Sequence, residues 1–150
     1  MGEYVISEKI GKGSFADVYN CKHEATSKKY ALKIVNREHL MQLGEPRLIA
    51  GLESEIKFMK DLDHENIVRL HEFFSTEKNF YLVLELCLGG DLNKYIRKKK
   101  KLEEKVAMGF LLQIVRLLTM IMMTDNAVDN KICDFRYYRQ MGWHFCKIEK

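Results

Sequence analysis

The chain changes its apolar period several times, and each change marks an element. From Tyr4 to Ile10 apolar and polar positions mix, and Gly11-Lys12-Gly13-Ser14 then breaks the pattern. Phe15 to Cys21 resumes it, with Ala16, Val18 and Asn20 on one face. Successive strand side chains point to opposite faces, so the two runs predict a hairpin around a glycine-containing turn. Lys29 to Val35 predicts a third strand, on which Ala31 and Lys33 share a face. Ile49, Leu52, Ile56, Met59 and Leu62 then recur at spacings of three and four, the stripe of an amphipathic helix. His64-Glu65-Asn66 reads as a turn. Ile67 to Phe74 and Asn79 to Leu86 read as two more strands, and Gly89-Gly90 closes the second. Asp91 suits a helix N-cap, with a short helix to about Lys98.

Leu102 to Thr119 predicts a second long helix. Val106, Phe110, Leu111, Ile114, Val115, Leu117 and Leu118 cover most of its circumference. Lys105, Gly109, Gln113 and Arg116 leave only a narrow polar stripe. Such a helix is expected to be buried on nearly all sides. Beyond Met123 the pattern weakens to one short strand-like piece, Asn130 to Phe135, and an irregular tail.

Composition narrows the class. The chain has 150 residues, 47% apolar and 31% charged, which is a globular balance. Cys21, Cys87, Cys133 and Cys146 lie far apart, so reduced intracellular thiols are expected rather than a disulfide framework or a zinc site. No secretory leader is recognisable, and Ile6 stands where a myristoylation signal needs Ser or Thr. The apolar run from Met108 to Met123 contains Gln113 and Arg116 and falls short of the roughly 20 residues a membrane span needs. Net charge is +4, with the excess concentrated in Arg97-Lys98-Lys99-Lys100-Lys101. That run reads as a solvated turn between helices, with nuclear import or binding to an acidic partner as the alternatives. It has no interleaved aromatic residues to stack bases, so nucleic acid is not expected as a partner. The expected location is cytoplasmic.

Three features carry candidate chemistry. Glycines at 11 and 13 let backbone N–H groups approach phosphate oxygens, although an ordinary hairpin turn reads the same way. Lys33 sits in the apolar strand Ala31-Leu32-Lys33-Ile34-Val35, where a cation needs a partner or an anionic ligand. Glu55 falls inside the apolar stripe of the first long helix, whereas Glu53 falls outside it, and Lys33 is the available cation for it.

In this order and spacing the features resemble the N-terminal lobe of eukaryotic serine/threonine protein kinases. His64-Glu65-Asn66-Ile67-Val68 and Tyr81-Leu82-Val83-Leu84-Glu85-Leu86-Cys87, followed by Gly89-Gly90-Asp91, extend the likeness. Gly-Lys-Gly-Ser-Phe-Ala is similar to both the centriole-duplicating polo-like and the autophagy-initiating kinases. The resemblance implies an α+β fold: a five-stranded antiparallel sheet with one main helix, then an incomplete helical C-lobe. It divides the chain into an N-lobe and hinge at 1–90, a partial C-lobe at 91–135 and an unrelated tail at 136–150.

The resemblance also implies roles. Gly11 and Gly13 would cover the phosphates of ATP, and Lys33 would hold the α- and β-phosphates while pairing with Glu55. Ile10, Val18 and Ala31 would enclose the adenine, with Leu84 as gatekeeper. Backbone groups of Glu85 and Cys87 would bind the adenine edge, and Asp91 the ribose. Asp134, in Lys131-Ile132-Cys133-Asp134-Phe135, would bind Mg²⁺. Two departures stand out. No His-Arg-Asp catalytic loop lies between the long helix and Asp134, and Arg136 replaces the glycine after Asp134-Phe135. A splicing variant, a degraded gene copy or a gene-model error is the expected origin, with a purposeful short pseudokinase as the rival. Two functions stay open: an impaired kinase that phosphorylates protein hydroxyls, or a nucleotide-binding module that docks on a partner.

Overall fold

Five strands build one antiparallel sheet in the computed structural model, which describes residues 3–13, 15–42, 46–89 and 92–123. The strands are β1 (Tyr4–Lys12), β2 (Ala16–His23), β3 (Lys29–Asn36), β4 (Leu70–Ser75) and β5 (Asn79–Leu84). Their spatial order is β1-β2-β3-β5-β4, so β3 lies at the centre and β1 and β4 at the edges. The fold class is the α+β arrangement expected from the sequence.

Alternation along the strands separates two cores. On one face Ala16, Ala31, Val35, Phe80, Leu82 and Leu84 pack against a helix, α2 (Pro46–Asp61). The helix contributes Leu52, Ile56 and Met59 of the predicted stripe, together with Leu48, while Ile49 is only partly buried against them. The opposite face holds a smaller cluster of Cys21, Leu32, Tyr81 and Val83, with Tyr4, Tyr30, Ile34 and Phe74 packed around it. There the Phe74 and Tyr81 rings stack at 5.0 Å.

Several boundaries move for physical reasons. Helix α2 begins at Pro46 rather than near Ile49, because proline suits a first helical position, where no N–H acceptor is required. The strand expected from Ile67 begins only at Leu70, since the Ile67 N–H is turned back to the His64 carbonyl at 3.0 Å. A short helix with no signature in the pattern, α1 (Arg37–Gln42), follows β3. The Asn36 side chain accepts the His39 N–H at 2.8 Å, as an N-cap does, and Leu40 is fully buried beneath it.

Past the sheet, α3 (Leu92–Lys99) ends at Lys100, which takes a left-handed φ of 61° and donates its N–H to the Ile96 carbonyl. The basic run is thus a solvated helix end and turn. The last helix, α4 (Glu104–Met123), extends four residues past the expected Thr119. Its expected burial on nearly all sides is corrected by the structure. Among its described side chains only Phe110 is buried, edge-on to Tyr95 at 5.9 Å, whereas Met108, Leu111, Leu112 and Val115 are about half exposed. Few described elements lie against α4, so its apolar surface exceeds what they cover. Its polar stripe meets the turn before β4: Asn66, buried, donates from Nδ2 to Gln113 Oε1 at 3.1 Å. No helix among the described residues is long and apolar enough to cross a membrane.

Candidate functional site

Strand register gathers the candidate residues. Lys33 on β3 lies opposite Val18 on β2 and Leu82 on β5. Ala31 lies opposite Leu84, and Val18 opposite Gly11. Directly paired residues point to the same face, so Gly11, Val18, Ala31, Lys33 and Leu84 share the face that α2 covers in part. These five come from four stretches of sequence, and only antiparallel pairing makes them neighbours.

The β1–β2 turn is shaped by irregular pairing. The register shifts between Lys9 and Gly11, and Ile10 lies within that irregularity, 44% exposed. A Cβ at Gly11 would stand 3.4 Å from the Val18 Cβ. Gly13 donates its N–H to the Ala16 carbonyl at 2.7 Å, which closes the turn.

Lys33 and Glu55 are the buried charged centre of the site, 5% and 1% exposed. Burial holds the Lys33 ammonium well below the usual lysine range, and the Glu55 charge opposes that shift only in part. Burial likewise raises the Glu55 carboxyl far above the usual carboxylate range, with Lys33 opposing it. Both Glu55 oxygens are buried and accept no hydrogen bond, so Lys33 acts on Glu55 through its charge. Such a carboxylate is costly to keep ionised.

The raised Glu55 pKa sets a pH dependence. A folded-state pKa above the unfolded value gives stability that is complete below the unfolded pKa, 4.5, and is lost as pH rises toward about 8. The melting temperature of the chain, relative to Glu55→Gln, is therefore expected to fall as pH rises from about 5 to 8. Scanning calorimetry of both proteins across that range checks it. A difference that stays constant or grows with pH would contradict the assignment.

The remaining expected site residues divide. Glu85 directly follows β5, where its N–H donates to the Arg69 carbonyl at 2.9 Å, and Cys87 is exposed two residues on. Asp91 and Asp134 lie outside the described residues, as does Ser14 of the turn. Among the described residues no group of three His, Cys, Asp or Glu is arranged to hold a metal ion. Sequence reading overlooked Leu82, which is fully buried opposite Lys33. The two-residue alternation of Phe80, Leu82 and Leu84 was the available signal.

Comparison with known proteins gives a consistent result. The protein kinase domain family matches residues 4–128. The serine/threonine-protein kinase atg1 of Dictyostelium discoideum is 38% identical over 117 residues, covering 76% of this chain and 17% of that protein. The serine/threonine-protein kinase ATG1a of Arabidopsis thaliana is 37% identical over 114 residues, again 76% of this chain, and 18% of its own length. The serine/threonine-protein kinase ATG1 of Mycosarcoma maydis is 41% identical over 108 residues, 72% of this chain and 10% of that protein. The chain thus spans less than a fifth of each of these three relatives.

Proposed function

The chain belongs to the eukaryotic serine/threonine protein kinase family, and from that premise we propose that its sheet lobe binds Mg-ATP on the face carrying Gly11, Val18, Ala31, Lys33 and Leu84. One observation carries the reading: a buried lysine lies on the same face as a strip of apolar side chains, with a buried carboxylate behind it. The residues fit the group. Val18, Ala31 and Leu84 offer an apolar surface for a base, with half-exposed Ile10 at its margin. Gly11 and Gly13 keep the turn free of side chains where phosphates approach. Lys33 supplies the positive charge, and a phosphate near it favours its charged form. Glu55 positions that ammonium from α2. The backbones of Glu85 and Cys87 follow the strand end and read the edge of the base, with Asp91 toward the ribose. When bound, Mg-ATP supplies the phosphoryl group that the family transfers to protein serine and threonine hydroxyls. Asp134 is the residue assigned to Mg²⁺.

We read this chain as binding nucleotide without completing transfer. It contains no His-Arg-Asp, so it lacks the aspartate that orients the acceptor hydroxyl, and Arg136 follows Asp134-Phe135. The alternative, a module that docks on a partner without nucleotide, is kept because α4 exposes so much apolar surface. The separated cysteines support an intracellular, cytoplasmic location, and the basic run leaves nuclear entry open.

Mg-ATP is expected to raise the melting temperature of the chain, and Lys33→Ala to abolish that rise, with no phosphate incorporated into a generic protein substrate by either form. A shift that persists in Lys33→Ala would overturn the assignment of the site. Substrate turnover that disappears with Lys33→Ala would overturn the non-catalytic reading.

A further inference from the structure

The basic run 97–101 and the exposed face of α4 take no part in the nucleotide site. All five cations of the run are exposed, at the end of α3 and in the turn beyond it. The turn is tight: the Lys100 N–H donates to the Ile96 carbonyl at 2.8 Å, and the Lys101 N–H to the Lys99 carbonyl at 2.7 Å. The cations are therefore gathered around one helix end rather than strung along an extended loop. Among the described residues, Lys98, Lys99, Lys100 and Lys101 form no ion pair. From Leu92 to Thr119 the chain carries eight basic residues (Lys94, the five of the run, Lys105 and Arg116) against two acidic ones, Glu103 and Glu104.

Helix α4 follows directly from that turn. Met108, Leu111, Leu112, Val115 and Leu118 fall on it at intervals of three and four and are all exposed, so they form one apolar strip along its outer side. Lys105 and Arg116, also exposed, lie three residues before Met108 and four after Leu112, which places both along one border of the strip. An apolar face bordered by long basic side chains is the pattern of a helix that lies in a membrane interface. The stems of such cations cover apolar surface while their charges stay with the headgroups. A helix of this kind lies on the bilayer rather than crossing it: Arg116 interrupts the apolar run, and no helix among the described residues is long and apolar enough to cross.

We propose that the end of α3 and the outer face of α4 dock on an anionic lipid surface. The apolar strip from Met108 to Leu118 enters among the acyl chains, and the run 97–101, with Lys105 and Arg116, meets the lipid phosphates. Charge complementarity selects this occupant, since a cluster of lysines and arginines beside an interfacial helix is drawn to acidic headgroups. An anionic bilayer engages both halves of the surface at once. A nucleic-acid strand or a soluble acidic chain would engage the cations and leave the apolar strip in water. The docking is independent of nucleotide, because no residue assigned to Mg-ATP takes part in it.

Co-sedimentation of the 150-residue chain with vesicles of phosphatidylcholine containing about 30% phosphatidylserine tests the proposal. Binding is expected, at least about tenfold tighter than to phosphatidylcholine alone, and weakened as salt rises from about 0.1 to 0.5 M. Lys98→Glu with Lys99→Glu is expected to weaken it by at least about tenfold. Leu111→Gln with Val115→Gln, which leaves the charge unchanged, is expected to weaken it several-fold. Absence of binding to the anionic vesicles, or equal binding to phosphatidylcholine alone, would overturn the proposal. So would indifference of the unsubstituted chain to salt, a result that depends on no variant folding. Full binding by the glutamine variant, or equally effective displacement by polyglutamate or an oligothymidylate, would show a nonspecific charge patch and overturn it too.

Discussion

Replacing the buried charged pair by apolar side chains, Lys33→Met together with Glu55→Leu, is expected to stabilise the chain by about 1–4 kcal/mol while removing its response to Mg-ATP. Lys33 is 5% and Glu55 1% exposed, and neither Glu55 oxygen accepts a hydrogen bond. Their mutual attraction therefore has to offset the loss of hydration of both groups, and Glu55 gains no hydrogen bond that would help. The surroundings, Leu82, Leu52 and Ile56, are already apolar and accept a methionine and a leucine of similar length. Lys33→Met alone, by contrast, leaves Glu55 buried with no hydrogen bond and without the Lys33 charge, and is expected to destabilise, whereas Glu55→Leu alone is expected to have the smaller effect. Urea denaturation of the three variants checks the ordering. A double variant less stable than both singles would show that the pair holds the lobe together rather than straining it.

Leu82→Ala is expected to cost about 2–5 kcal/mol and to abolish a cooperative unfolding transition if the lobe has only the margin usual for a small domain. Leu82 is fully buried on β5, opposite Lys33 on one side and Phe73 on the other, beneath α2. Removing it leaves a cavity where strands on both sides are fixed by backbone pairing and cannot close in. The same truncation at Leu111, 51% exposed on α4, is expected to change stability by less than about 0.5 kcal/mol. Denaturation midpoints of the two variants make the comparison. Equal losses would mean that α4 is covered as tightly as the sheet.

Much of the site was readable before any coordinates. Lys33 in an apolar strand and Glu55 inside an apolar stripe each break a local pattern, and a buried charge is an expensive break that points to function. Both are buried, and they sense each other. The helix stripe named Leu52, Ile56 and Met59 correctly, because a 3.6-residue period leaves little choice about which side turns inward. Helix α1 escaped notice because six residues show barely more than one turn of periodicity, and its clearest signal was a lone N-cap, Asn36. On α4 the wheel was accurate about which positions are apolar and wrong about their burial. Periodicity reports the character of a surface, whereas burial depends on whether another element lies against it.

The sequence by itself determined which segments alternate as strands, which face of α2 is apolar, and which residues are chemically out of place. Those properties follow from local geometry, the two-residue period of a strand and the 3.6-residue period of a helix. Only the tertiary structure decided that β3 pairs with β5 rather than β4, and that Lys33 therefore lies between Val18 and Leu82 with Glu55 behind it. Strand order and helix docking are set by the summed burial of two surfaces and by the hydrogen bonds of whole strands. No single segment contains that sum.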